Sequence, residues 1–93
     1  MATGENIKNK PNKEEDIQSK NERFLILHND DHHSFDYVIE ALINVCKHET
    51  EQAVQCTLIT HYKGKCDVKK GSFTYLSPMK KALVDKELKA TID

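Results

Sequence analysis

Asn29-Asp30-Asp31 is the first place along the chain where chemistry could concentrate. Two carboxylates and a carboxamide, set where an apolar run ends, can gather acceptor oxygens around one point. The same residues also make ordinary turns and helix caps, because they bond their own backbone and tolerate left-handed geometry. His61 is the second place. It follows Thr57 by four positions with Thr60 beside it, so one stripe of its helix is small and polar. Packed against a wholly apolar helix, that stripe leaves a cavity or a slot. The alternative for His61 is a core imidazole bonded to backbone.

Other chemistries find less support. His28, His32 and His33 lie near the two aspartates, and imidazole and carboxylate are good ligands for zinc or copper. His32 and His33 are adjacent in a loop, however, and no i, i+4 pair fixes them, so no metal and no other cofactor is expected. Cys46, Cys56 and Cys66 include no CxxC pair, which reads as reduced thiols of a cytoplasmic protein. Cys56 precedes His61 by five positions on one helix, which points the two side chains apart. No GxSxG, phosphate loop or GxGxxG occurs. The expectation is a protein that binds and does not catalyse.

Several elements must position these residues. Phe24-Leu25-Ile26-Leu27 is too brief for a buried helix and fits a central strand covered on both faces, ended by Asn29-Asp30-Asp31. Over residues 34–47, Phe35, Val38, Leu42, Val45 and Cys46 recur at helical spacing, Ile39 and Ile43 widen the stripe, and Ser34 is placed to cap. His48-Glu49 reads only as a turn. Thr50 is then expected to cap a second helix that carries Glu51 in its first turn and ends at Gly64. Cys66-Asp67-Val68 alternates as a strand does. A third helix, capped by Ser72 or by Ser77 with Pro78 following, keeps Phe73, Leu76, Met79 and Leu83 in helical register. After a turn at Lys86-Glu87, Leu88, Ala90 and Ile92 face one way along a last strand. The fold class is α+β: a small three-stranded antiparallel sheet packed against three helices, in the order β-α-α-β-α-β.

Size and charge bound the rest. Residues 1–22 hold nine charged and four apolar residues, too few to offset the entropy of ordering, and read as a mobile extension. Residues 23–93 read as one small domain, too small for an enzyme with its own cofactor domain. The net charge of −1 argues against nucleic acid as a partner. No apolar run approaches the roughly 18 residues that would span a membrane. The near-neutral total conceals opposed halves: residues 23–62 carry −4 and residues 63–93 carry +4. Lys63, Lys65, Lys69, Lys70, Lys80 and Lys81 are either a solvated face or a docking surface for an acidic partner.

Taken together, Leu25-Ile26-Leu27-His28-Asn29-Asp30-Asp31, then Phe35-Asp36-Tyr37-Val38-Ile39, then His61-Tyr62-Lys63-Gly64-Lys65 resemble ClpS, the adaptors that hand N-degron proteins to Clp AAA+ proteases. The resemblance covers residues 23–93 and is strongest over 25–65. It implies a cytoplasmic, monomeric adaptor whose partners are a Clp AAA+ ATPase of the ClpA or ClpC type, with its protease, and N-degron proteins. It implies that Asn29, Asp30 and neutral His61 accept hydrogen bonds from a free α-amino group. Asp31, Phe35, Val38, Thr57, Thr60 and Leu88 would wall a pocket for a bulky first side chain. It also implies that the N-terminal extension engages the protease. Thr57 stands where most relatives carry Met, and His33 where Thr or Asn is common. Residues that relatives use against the ATPase align to Thr74 and Met79, which leaves Lys80 and Lys81 as the docking candidates. The competing reading is a structural interaction domain similar to the C-terminal domain of the ribosomal stalk protein, in which Asn29-Asp30-Asp31 is only a turn and His61 only core.

Overall fold

The computed structural model describes residues 22–93. Along them run β1 (Arg23–His28), α1 (Phe35–Cys46), α2 (Thr50–Lys63), β2 (Lys65–Gly71), α3 (Phe73–Asp85) and β3 (Lys89–Ile92). The strands form one antiparallel sheet in the order β2-β1-β3. This is the α+β architecture and element order expected from the sequence. The mobile extension expected over residues 1–22 falls, save Glu22, outside the described residues.

β1 is central because its apolar run can be buried along its middle. Leu25 and Leu27 point into the core with Leu42, Leu76 and Leu83, while Ile26 alternates to the other face and is also buried. Coverage of both faces stops at Phe24, which is 38% exposed. The register between β1 and β2 shifts between Leu25 and Ile26, whose partners are Lys69 and Asp67. Val68 is therefore the extra residue of a bulge.

That bulge is tied to the end of α1 by two side chains that the sequence placed elsewhere. His48, read as part of a simple turn, is 4% exposed, and its Nε2–H donates to the Val68 carbonyl at 2.6 Å. Lys69, grouped with the solvated lysines, donates from Nζ to the Cys46 carbonyl at 2.8 Å. It thereby satisfies one of the acceptors left open where α1 ends in a left-handed Lys47, φ 61°. His48→Leu should lower stability by about 1–3 kcal/mol, because it strands a carbonyl in the interior. The check is a lower urea midpoint at an unchanged slope, with partial recovery in His48→Gln, whose amide can still donate.

The helix ends correct one further expectation and settle an open one. α2 begins after Glu49, with no side-chain cap, so Thr50 is its first residue rather than its cap. Ser72 caps α3 by accepting from the Tyr75 N–H at 3.2 Å, and Ser77 and Pro78 lie inside the helix. Ser34 caps α1 through the Tyr37 N–H, as its position suggested. Gly64 closes α2 at φ 94°, a left-handed geometry that costs glycine little.

Candidate functional site

A backbone hydrogen bond brings the β1 exit against the end of α2. The Asn29 N–H donates to the Gly64 carbonyl at 2.9 Å, and the Gly64 N–H donates in turn to Thr60 at 2.9 Å. The left-handed turn at Glu87, φ 66°, then swings Leu88 under the same opening before β3 begins. Between these elements and the first turns of α1 lies a cleft of about 190 Å³. Asn29, Asp30, Asp31, Phe35, Val38, Thr57, Thr60, His61 and Leu88, the residues singled out for amine and side-chain recognition, all line it. Leu27, His28 and His33 line it as well.

The wall is apolar by construction. Thr57 and Thr60 are 3% and 5% exposed, and each hydroxyl donates to a carbonyl of its own helix, Ala53 and Cys56, at 2.8 Å. With those hydroxyls committed, what the threonines offer a ligand is chiefly a methyl group. Leu88 is buried and Val38 partly buried, while Phe35 remains 41% exposed. The Phe35 ring meets His61 edge-on with centroids 5.1 Å apart, and Tyr62 flanks the same imidazole at 5.0 Å.

The rim is polar and carries the charge. Asp30 Oδ1 accepts from the N–H groups of His32 at 2.8 Å and His33 at 3.1 Å, and the His33 Nδ1–H lies 3.1 Å from both carboxylate oxygens. Partial burial pushes the Asp30 carboxyl up, but the hydrogen bonds from His32 and His33 and the nearby His33 ring outweigh it, and the net shift is downward. Asp30 is therefore a carboxylate throughout the neutral range. Three donors against roughly four acceptor positions leave room for one more cationic donor. Asn29 and Asp31 are exposed beside it.

The turn half of the competing reading is present, since Asp30 does bond its own backbone. The core half is not: His61 is exposed, and the buried imidazole bonded to backbone is His48. The family pattern puts at position 33 a Thr or Asn that commonly reaches the substrate backbone, and does not point to the contact of His33 with Asp30. The available signal was an aspartate followed three residues later by histidine at a strand exit. Lys80 and Lys81 lie on α3 and do not line the cleft; Lys81 makes only an exposed 3.8 Å pair with Asp85. Burial pushes the Cys46 thiol up to about 11 and that of Cys66, with Cys56 beside it, to about 12, so neither is a thiolate at neutral pH. Among the described residues, no group of three or more His, Cys, Asp or Glu side chains is gathered to hold a metal ion, and no helix is long and apolar enough to cross a membrane.

Comparison with known proteins shows the following similarities. Residues 18–91 match the family described as ATP-dependent Clp protease adaptor protein ClpS. The ATP-dependent Clp protease adapter protein ClpS of Oleidesulfovibrio alaskensis is 37% identical over 51 residues, which are 55% of this chain. The match spans about half, 49%, of that relative's length. The structure of Agrobacterium tumefaciens ClpS2 bound to L-phenylalaninamide superposes with a TM-score of 0.72 at 20% identity, covering 78% of this chain and 95% of that one. At that identity the likeness is one of fold.

Proposed function

Because the chain belongs to the ClpS family of ATP-dependent Clp protease adaptors, we propose that its cleft binds the free α-amine and bulky hydrophobic first side chain of an N-degron protein. The observation that carries this reading is the convergence on one cleft of polar acceptors at the rim and an apolar, methyl-lined wall. An ammonium group needs acceptors and is favoured by negative charge; Asn29 through its amide oxygen, Asp30 as carboxylate and His61 as neutral imidazole supply them. The ligand bound to the similar Agrobacterium protein, L-phenylalaninamide, has the two groups the cleft would take, a free amine and a phenyl ring. A cavity of about 150 Å³ is known to hold benzene, so the 190 Å³ here suits an aromatic or a large aliphatic side chain.

Both halves of the ligand are needed. A hydrogen bond to a charged group contributes about 1.5–3 kcal/mol, and full burial of a large apolar side chain contributes a similar amount. Neither alone gives useful affinity once the entropy of association is set against it. In this reading the protein is a cytoplasmic monomer that delivers its cargo to a Clp AAA+ ATPase of the ClpA or ClpC type. Lys80 and Lys81, on α3 away from the cleft, are the docking candidates, so cargo and ATPase can be held at once.

The pH dependence of binding tests this arrangement. Asp30 has a lowered pKa, so its contribution is present above the usual carboxylate range and is lost only in stronger acid. His61 accepts from an ammonium only when neutral, so a proton on its ring removes one of the three acceptors. Above about pH 8 the peptide amine itself deprotonates and binding falls again. Fluorescence anisotropy with a Phe-initiated peptide should trace a bell with its maximum between these limits. A profile flat from pH 5.5 to 9 would count against the arrangement.

A further inference from the structure

The contacts of His33 reach further than the amine acceptors themselves. Its ring and the Asp30 carboxylate shield one another, with side chains only 16% and 19% exposed. The His33 Nδ1–H sits 3.1 Å from each Asp30 oxygen, and its ring stacks on Tyr37 with centroids 4.8 Å apart and planes 17° apart. The Tyr37 hydroxyl donates to the Lys86 carbonyl at 2.9 Å. Two residues on is Leu88, a wall of the cleft. One line of contacts thus joins the rim carboxylate, through α1, to the turn that places the wall.

We infer that His33 is a positioning residue for amine recognition: clamped between Asp30 and Tyr37, it fixes which carboxylate oxygen faces the incoming ammonium. The inference rests on the proposed amine site and assigns its geometry to a residue outside the acceptor set. Oδ1 already takes the N–H groups of His32 and His33, whereas Oδ2 has only the shared imidazole proton. Oδ2 is therefore the oxygen with capacity to spare. Without the ring, the carboxylate is free to rotate and to become more hydrated, and the ligand must order it again.

The same contact makes His33 a source of pH sensitivity. A second proton on the ring sets a full positive charge against Asp30, where the ammonium would sit, so affinity falls as the imidazole becomes charged. The titratable groups that share its loop, its ring stack or the cleft are Asp30, Asp31 and His32, Tyr37 of α1, His61 of α2 and His28 of β1. His61 would add to the same acid limb, so the variants must separate the two.

The test is anisotropy with a Phe-initiated peptide on wild type, His33→Ala and His33→Asn, at pH 7.5 and at steps down to 5.5. His33→Ala should weaken binding roughly tenfold at pH 7.5, the loss of one hydrogen bond to a charged group. His33→Asn, whose amide N–H can reach the carboxylate without titrating, should restore most of that affinity and show a shallower loss toward pH 5.5 than wild type. If His33→Ala does not fold, as judged by circular dichroism, the acid limb of His33→Asn still decides. Wild-type affinity in His33→Ala, or an acid limb in His33→Asn as steep as in wild type, would overturn the inference while leaving the amine site standing. No binding by wild type itself would remove both.

Discussion

Asp30→Ala is expected to weaken binding of a Phe-initiated peptide about 30-fold or more, since removing one partner of a shielded charge pair costs roughly 2–5 kcal/mol. In the proposed site the carboxylate would supply the formal negative charge for the ammonium, and hydrogen bonds from His32 and His33 keep it ionised. Asp30 also serves its own turn, so a loss in the alanine variant has two sources. Asp30→Asn separates them. The carboxamide oxygen can still accept from the two backbone N–H groups, while the charge and the second acceptor oxygen are gone. Its melting temperature should stay near that of wild type while its affinity falls most of the way to that of the alanine variant. Binding at wild-type strength in both variants would place the amine elsewhere.

Thr57→Phe is expected to produce the other large loss. Thr57 is 3% exposed, with its hydroxyl bonded to the Ala53 carbonyl, and it lines the cleft where a ligand side chain would lie. A phenyl ring on α2 can occupy the cleft in place of the ligand's, which removes the roughly 1.5–3 kcal/mol that burial of the ligand side chain contributes. Peptides beginning with Phe, Tyr or Trp should bind about 45-fold more weakly, the middle of that range. Thr57→Ala, which enlarges the cleft, should keep aromatic first residues. A circular dichroism melt separates occlusion from overpacking, which itself costs about 1–3 kcal/mol. Unchanged affinity in the phenylalanine variant would show that the ligand side chain does not use this wall.

Much of this site is legible in the sequence because its parts are local. Asn29-Asp30-Asp31 ends an apolar strand, and Thr57, Thr60 and His61 fall on one helical stripe, so each group can be recognised within a few residues. Joining the groups took the family pattern, since nothing in composition says that a turn near residue 30 meets a helix end near residue 61. The hydrogen bond from Asn29 to Gly64 that joins them is long-range. What stayed hidden is long-range too. His48 and Val68 are 20 residues apart, and Lys69 and Cys46 are 23 apart. A bulge that moves pairing by one residue leaves no local signature in Cys66-Asp67-Val68. The start of α3 was ambiguous because Ser77-Pro78 is a sound local cap signal. Burial of Leu76 and Leu83 in the core favours the longer helix, despite the hydrogen bond that Pro78 cannot make.

The charge asymmetry takes on a chemical meaning at this point. The cleft's carboxylates, Asp30 and Asp31, belong to the acidic half of the chain, while Lys80 and Lys81 belong to the basic half. Of the six lysines grouped from the sequence, Lys69 is spent on closing α1. The protein's small size is compatible with the proposed task, because holding one amine and one side chain needs a single cleft and no catalytic apparatus.

The central claim, that the cleft reads a free amine together with a large first side chain, is tested most directly by three peptides of otherwise identical sequence. One begins with Phe, one is its N-acetylated twin, and one begins with Gly. Measured by fluorescence anisotropy at pH 7.5, the first should bind, and the other two should be weaker by an order of magnitude or more. Equal binding of the acetylated twin would contradict the amine site, and equal binding of the Gly peptide would contradict the side-chain pocket.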